Sequence, residues 1–493
     1  MGACRFLAAR GRGGISSVSR DRAVGRLTRG RTMLDETMPR LQRADRVFAI
    51  VAIVLGLLYA VATPPMRAPD ERHHVRRLVQ IASGGIAGQV PIPGGVHDFA
   101  RAGKISSRNL RRQPTLPFSR DDWRALAAIE LEAERPVAFA GDRSLAYSPL
   151  PYLPAVATTV VGLRQGARPL VLLYAARATL LVAGVLCLVW ALRLAGDAQW
   201  LLCGIALLPT VTFLRSCVSA DTLTTAFAFV LFAAILRLRD HDGARDGPAW
   251  SDLLLLSAAG VSVALAKVAY VPLTLAAAPA VFGRLRGRRH GRAGAVAVVV
   301  LPWVVGAAWL ALLGEDFATG DLHRASPDTQ LALLVQHPAT FVQAFAQTWL
   351  SPDGIGSLTR SLVGRFLLLN LRLPWPLVLA CLALLGFLVL TLPATIAPRP
   401  AERALFLLGA LGCIVLMSVG AYLKWTSVGN DSIQGIQGRY LVPCLPFVLY
   451  ALTPPRRWRR AVSPRVVAAV LLVVAVTSNL WALVAIVRAT WAA

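Results

Sequence analysis

The sequence predicts an all-α polytopic membrane protein of roughly eleven transmembrane helices, with a large first extracytoplasmic loop. Three observations predict it. The 493 residues are 56% hydrophobic and only 16% charged, more apolar than a soluble core of this length can use. The apolar residues are gathered into runs close to membrane-spanning length. Arginines collect in alternate connections between the runs, as in cytoplasmic loops.

The net charge of +26 does not mark a nucleic-acid partner, because the basic residues sit at run ends and in the first 46 residues, not on a soluble domain. They read as topology determinants and contacts to membrane lipids. The seven cysteines show no metal-ligand spacing, and Cys187, Cys203, Cys381, Cys413 and Cys444 lie in or at the ends of apolar runs. Neither a zinc site nor a disulfide framework is expected.

In order along the chain, residues 1–46 hold eleven arginines against four acids and read as a cytoplasmic, disordered leader, with Met33 and Met38 as alternative starts. Residues 47–493 form the membrane domain. Its clear spans are Val47–Thr63, Leu170–Leu192, Trp200–Leu214, Leu223–Leu238, Val296–Leu313, Pro376–Ile396, Ala404–Leu423, Tyr440–Leu452 and Val466–Val487. Leu253–Phe282 is interrupted by Lys267, Tyr270 and Pro272 and reads as two short helices meeting near the outer surface. The leader, Arg193, Arg237 to Arg245, the cluster Arg284, Arg286, Arg288, Arg289 and Arg292, then Arg399, Arg403 and Arg456 to Arg460 all fall on one side, the cytoplasmic face of the plasma (inner) membrane. Outside lie 64–169, the Arg215–Asp221 turn, 314–375 and the Lys424–Arg439 turn. Tyr147–Gly162, short and broken by prolines, is expected to be re-entrant, and Leu331–Leu350 to be an amphipathic helix on the outer leaflet. Asp316, Asp321, His323 and Asp328 belong to a solvated loop.

The densest chemistry follows the first span, where Asp70, Glu71, His73 and His74 stand among several arginines. A carboxylate at the mouth of a membrane cavity can act as general base or hold a divalent cation against a phosphate, and nearby arginines can bind an anionic leaving group. The competing use of Asp70 and Glu71 is to favour the start of a helix. Asp221 opens a later span on the same face, with an N-cap as its plainer role. Arg439, followed by Tyr440, stands at the mouth of another span, either clamping a lipid phosphate or anchoring the helix at the headgroups. Lys267 and Arg177 are intramembrane ions, functional candidates unless they snorkel to the headgroups.

The order of these pieces resembles a bacterial family of predicted membrane proteins, domain of unknown function 2142. The matching elements are Pro69-Asp70-Glu71 with His74, then Tyr147-Ser148-Pro149-Leu150-Pro151-Tyr152-Leu153-Pro154, then Ser219-Ala220-Asp221, and Gly438-Arg439-Tyr440-Leu441-Val442-Pro443. That family in turn looks like the GT-C superfamily of membrane glycosyltransferases, which take a sugar from a polyprenyl-phosphate donor on the outer face. The resemblance implies that Asp70, with Glu71, is the catalytic or metal-binding acid and Asp221 the second acid. It implies that Arg439 contacts the donor phosphate of a lipid-linked sugar, with His74 and Tyr440 of the same motifs beside the substrate; Lys267, as an intramembrane ion, is a further substrate-contact candidate. No Asp-x-Asp stands near Asp70 or Asp221, so the cofactor stays open, a divalent cation among the candidates. The alternatives are a transporter or flippase for lipid-linked envelope intermediates and a noncatalytic scaffold; no internal repeat supports the transporter.

Overall fold

The structure, a computed structural model, describes residues 44–87, 90–103, 117–138, 147–240, 250–287, 289–314, 326–393 and 397–491. The leader 1–43, Lys104, Arg245, Arg288, Asp316, Asp321 and His323 lie outside the described residues.

The chain enters through α1 (Ala44–Ala62) and turns at Pro64 and Pro65 into the amphipathic α2 (Glu71–Ala82). The rest of this connection carries short helices and a two-residue antiparallel ladder, Ile92–Pro93 with Pro136–Val137. Then come α3 (Leu153–Arg164), α4 (Pro169–Leu194), α5 (Gln199–Ala206), α6 (Pro209–Arg215), α7 (Asp221–Asp240) and α8 (Trp250–Ala266). A 3-10 segment, Val268–Ala277, follows α8 directly and leads to α9 (Gly291–Leu313). Short helices α10 (Pro327–Gln336), α11 (Pro338–Trp349) and α12 (Pro352–Val363) precede α13 (Trp375–Leu390) and α14 (Pro400–Trp425). The 3-10 turn Gly438–Cys444 and the long α15 (Pro464–Thr490) complete the order.

Among the described residues six helices, α1, α4, α7, α9, α14 and α15, are long and apolar enough to cross a membrane, and seven spans result if α5 and α6 count as one. The protein is therefore a multi-pass integral membrane protein, and its helices α1, α4 and α7 share one continuous apolar core. Of the eleven expected segments, the others are shorter or broken. Trp200–Leu214, read as one span, bends by 80° between α5 and α6. The cause is Pro209, which holds Leu208 in an extended conformation and removes a helical N–H. The carbonyls freed at the bend are not left bare, as a bilayer requires. Asn479 of α15 donates to Leu207 O at 3.0 Å, and Arg215 donates to Ala206 O at 3.1 Å. Tyr440–Leu452 likewise divides, into the 3-10 turn and the short helix Leu445–Ala451.

The break at Lys267 is where the sequence puts it, with Lys267 itself extended between α8 and the 3-10 segment. Tyr147–Gly162 becomes a 3-10 turn plus α3, too short to span. The amphipathic helix expected over Leu331–Leu350 is two helices, because Pro338 ends α10 at His337 and opens α11.

Candidate functional site

The site is assembled from four connections at one end of the helices, and its foundation is a buried ion pair. Glu71 and Arg177 are both 0% exposed. Two parallel bonds join them, Arg177 Nε to Glu71 Oε1 at 2.8 Å and Nη2 to Oε2 at 2.7 Å. Arg177 Nη1 also donates to Ala60 O and Thr63 O, each at 2.8 Å, so the guanidinium closes the C-terminal end of α1, where carbonyls lack helical partners. Glu71 Oε1 accepts from Val218 N at 3.1 Å. One pair thus ties together α1, α2, α4 and the turn before α7.

The sequence offers Glu71 as an acid beside Asp70, and the fold places it in this ion pair instead of in the cleft. Its two oxygens are taken by Arg177 and a backbone amide, and it does not join Asp70. Arg177, fully buried in this pair, does not snorkel to the headgroups.

Asp70 points the other way because its backbone is left-handed, with φ 59° and ψ 2°. An aspartate tolerates that region better than most residues. It stands at the N-cap of α2 but makes no side-chain cap bond. Instead Arg439 Nη2 donates to Asp70 Oδ2 at 2.5 Å. Arg439 Nη1 lies 3.8 Å from Asp221 Oδ2. One guanidinium, 3% exposed, therefore stands between two carboxylates that are 48% and 15% exposed. Among the described residues Arg439 Nε and Nη1 have no hydrogen-bond partner.

Lys267 completes the cationic side. Its Nζ is 4.1 Å from the centroid of the Tyr440 ring, 5.7 Å from Tyr270 and 6.0 Å from Tyr147. Tyr270 Oη donates to Tyr440 O at 2.8 Å and holds that wall in place. No carboxylate lies within salt-bridge distance of Lys267 among the described residues. His74 joins through Tyr147, ring centroids 5.3 Å apart, and its Nδ1 is 2.6 Å from Tyr152 Oη. Both tyrosines belong to the proline-rich element singled out in the sequence.

Outside the spans, two titrations matter. Burial favours the neutral form of Asp70, but Arg439, His74 and His73 outweigh it and lower its pKa to about 2. Burial lowers His74 to about 4, against the opposing pull of Asp70 and Asp221, so its imidazole is neutral near pH 7.

A model of the family described as Predicted membrane protein (DUF2142) matches residues 53–448. The chain belongs to that family. No curated protein and no solved structure matches it. In this DUF2142 protein, Asp70, His74, Asp221, Lys267, Arg439 and Tyr440 all fall inside the matched range, and the fold gathers them around one point. Glu71 alone of the sequence-derived site residues turns away.

A small cleft of about 20 Å3 adjoins the cluster and is walled by Asp221, Arg439, Tyr270, Thr222, Thr225 and Arg215. Arg215 escaped the sequence reading, which placed it only in an outer turn. The available signal was an arginine closing a short helix opened by Pro209, which a bent span must draw inward. The donor set does not fit a divalent cation: a guanidinium occupies the place between the two carboxylates where the ion would sit. Among the described residues no three His, Cys, Asp or Glu side chains are grouped as metal ligands.

Proposed function

We propose that this cluster is the active site of a membrane glycosyltransferase moving a sugar from a polyprenyl-phosphate donor to an envelope acceptor, on the outer face of the plasma membrane. One observation carries the reading. Arg439 lies between Asp70 and Asp221 beside a cleft among membrane helices, and its Nε and Nη1 donate no hydrogen bond among the described residues. Unpaired N–H groups of a buried guanidinium suit a phosphate, which accepts two parallel bonds. The cations Arg439 and Lys267 then stabilise the charge of a departing lipid phosphate.

The resting geometry also suggests how the acid is armed. Held by Arg439, with a pKa of about 2, Asp70 is a poor proton acceptor. A donor phosphate that takes over Arg439 releases the carboxylate and raises its basicity. Asp70 then accepts the proton of the acceptor hydroxyl as that oxygen bonds to the anomeric carbon. The bond from that carbon to the phosphate oxygen breaks, and the lipid phosphate leaves on Arg439 and Lys267. Asp221 keeps Arg439 oriented through the exchange, while Tyr440 and neutral His74 line the sugar side.

The test is transfer of radiolabelled sugar from a panel of polyprenyl-phosphate donors by membranes holding wild type or Asp70→Asn. Wild type transfers, and the variant, inserted normally, loses roughly 100-fold or more. Equal transfer by both removes Asp70 from the chemistry. No transfer by either, with normal insertion, shifts the weight to a transporter of the same lipid-linked class.

A further inference from the structure

The cleft does not end at Arg439. Its other basic wall is Arg215, the last residue of α6, 2% exposed. Only one edge of this guanidinium is used: Nη1 donates to Ala206 O, and the planar group lies 5.2 Å over the Phe48 ring. Among the described residues Nε and Nη2 have no hydrogen-bond partner. These two form the side-on fork of arginine, the pair that takes two oxygens of one phosphate or carboxylate. A role in closing the end of α5 explains Nη1 and leaves the fork unexplained. Leaving two donors of a buried cation unmet is costly.

The backbone makes room for this side chain deliberately. A Cβ at Gly184 of α4 would lie 3.4 Å from Arg215 Cγ and Cδ and 2.7 Å from Thr222 Cγ2. The glycine lets Arg215 and the start of α7 approach α4 closely. The charges along the cleft and its mouth do not cancel. Arg215, Arg439 and Lys267 stand against Asp70 and Asp221, and no acid is paired with Arg215 among the described residues. The surplus calls for an anionic ligand that reaches both arginines.

Resting on the reading of Arg439 as a phosphate contact, we infer that Arg215 binds a second anionic group of the same ligand, and that within the polyprenyl-phosphate class the donor is the diphosphate, so that the leaving group of the proposed transfer is a lipid diphosphate. A diphosphate is the simplest lipid-linked class that presents two such groups. Arg439 takes one phosphate at the mouth of the cleft, and the free fork of Arg215 takes the other.

The experiment uses the full-length protein purified in detergent, with inorganic phosphate and pyrophosphate as probes and calorimetric affinity and thermal unfolding as readouts. Wild type is expected to bind pyrophosphate roughly tenfold or more tighter than phosphate, the worth of an added charge-assisted pair. Arg215→Gln brings pyrophosphate down to the affinity of phosphate and leaves phosphate binding unchanged. Arg215→Lys keeps the charge without the fork and gives an intermediate loss; it replaces the Gln variant if that one does not fold. Phosphate binding that Arg439→Gln abolishes, with pyrophosphate no tighter than phosphate in wild type, overturns the role of Arg215 and spares the reading of Arg439. Undiminished pyrophosphate binding by a folded Arg215 variant does the same. Failure of wild type to bind either anion removes both.

Discussion

At the scale of single residues, neighbours in sequence have opposite tasks. Asp70 and Glu71 are adjacent carboxylates, yet one meets Arg439 and the other is sealed against Arg177. Breaking a fully buried pair from one side leaves an uncompensated charge, a loss of about 3–5 kcal/mol. Glu71→Gln should therefore unfold at markedly lower temperature in detergent, whereas Asp70→Asn, at a half-exposed position, should unfold within a few degrees of wild type. Equal stability of the two variants would remove the foundation described for Glu71. Acid offers a second check. The folded pKa of His74, about 4, lies below its usual 6.5, so the unfolded chain takes up a proton first as pH falls. The stability due to neutral His74 is whole above pH 6.5 and is lost as pH falls through 4, on the order of 3 kcal/mol. Asp70, lowered to about 2, adds a further loss from about pH 4 down to 2. Thermal unfolding followed from pH 7 to 4 should fall for wild type and stay nearly level for His74→Gln.

At the scale of elements, the site depends on how tightly the turn at Gly438 closes against α12. Gly438 N donates to Ser361 Oγ of α12, and a Cβ there would lie 1.9 Å from Leu358 O and 2.5 Å from Leu362 N. Backbone atoms cannot yield as a side-chain tip can, so the 3-10 turn must back away. Gly438→Ala is expected to retain the helices but to shift Arg439 off Asp70. It should reduce sugar transfer as far as Asp70→Asn does and lower stability by about 1–3 kcal/mol; wild-type transfer by this variant would mean that the turn has slack. These elements differ in how far they can be read from sequence. The break at Lys267 was legible, since a lysine and Pro272 within one apolar run are both expelled from a continuous span. The 80° bend before α6 was not, although Leu208-Pro209 carries the signal, because the flanking residues are apolar enough to mimic one helix. The left-handed turn at Asp70 was also hidden, and with it the divergence of Asp70 from Glu71, since aspartate occupies either backbone region. Arg177 could have been paired in advance: a buried intramembrane cation needs an acid, and Glu71 stands at the same end of the helices.

At the scale of the whole molecule, the charges are sorted to the two ends of the helices. Asp221 opens α7, and Arg237 and Arg239 lie at its far end, roughly 24 Å away along the axis. There Arg237 pairs with Asp252 at 2.8 Å, and Arg239 reaches Glu402 at 3.5 Å and the carbonyl of Ala397 at 2.5 Å. Arg403 donates to Ala451 O, and Arg459 to Pro393 O. The arginines that the sequence assigns to one face thus each find an acid or a backbone carbonyl at that end. The opposite end holds Asp70, Asp221 and Arg439. A basic end of this kind stays in the cytoplasm, which predicts that the Asp70 end opens outward, as an enzyme using a lipid-linked donor on the outer face requires. Cysteine labelling can decide this. Ser432→Cys, in the turn leading to Arg439, should react with a membrane-impermeant maleimide in intact cells, above the background of wild type. Arg457→Cys, in the basic connection before α15, should react only after permeabilisation. The reverse pattern would put the cluster on the cytoplasmic side and end the proposal of outer-face transfer, while leaving the geometry around Arg439 to be explained by an intracellular phosphate.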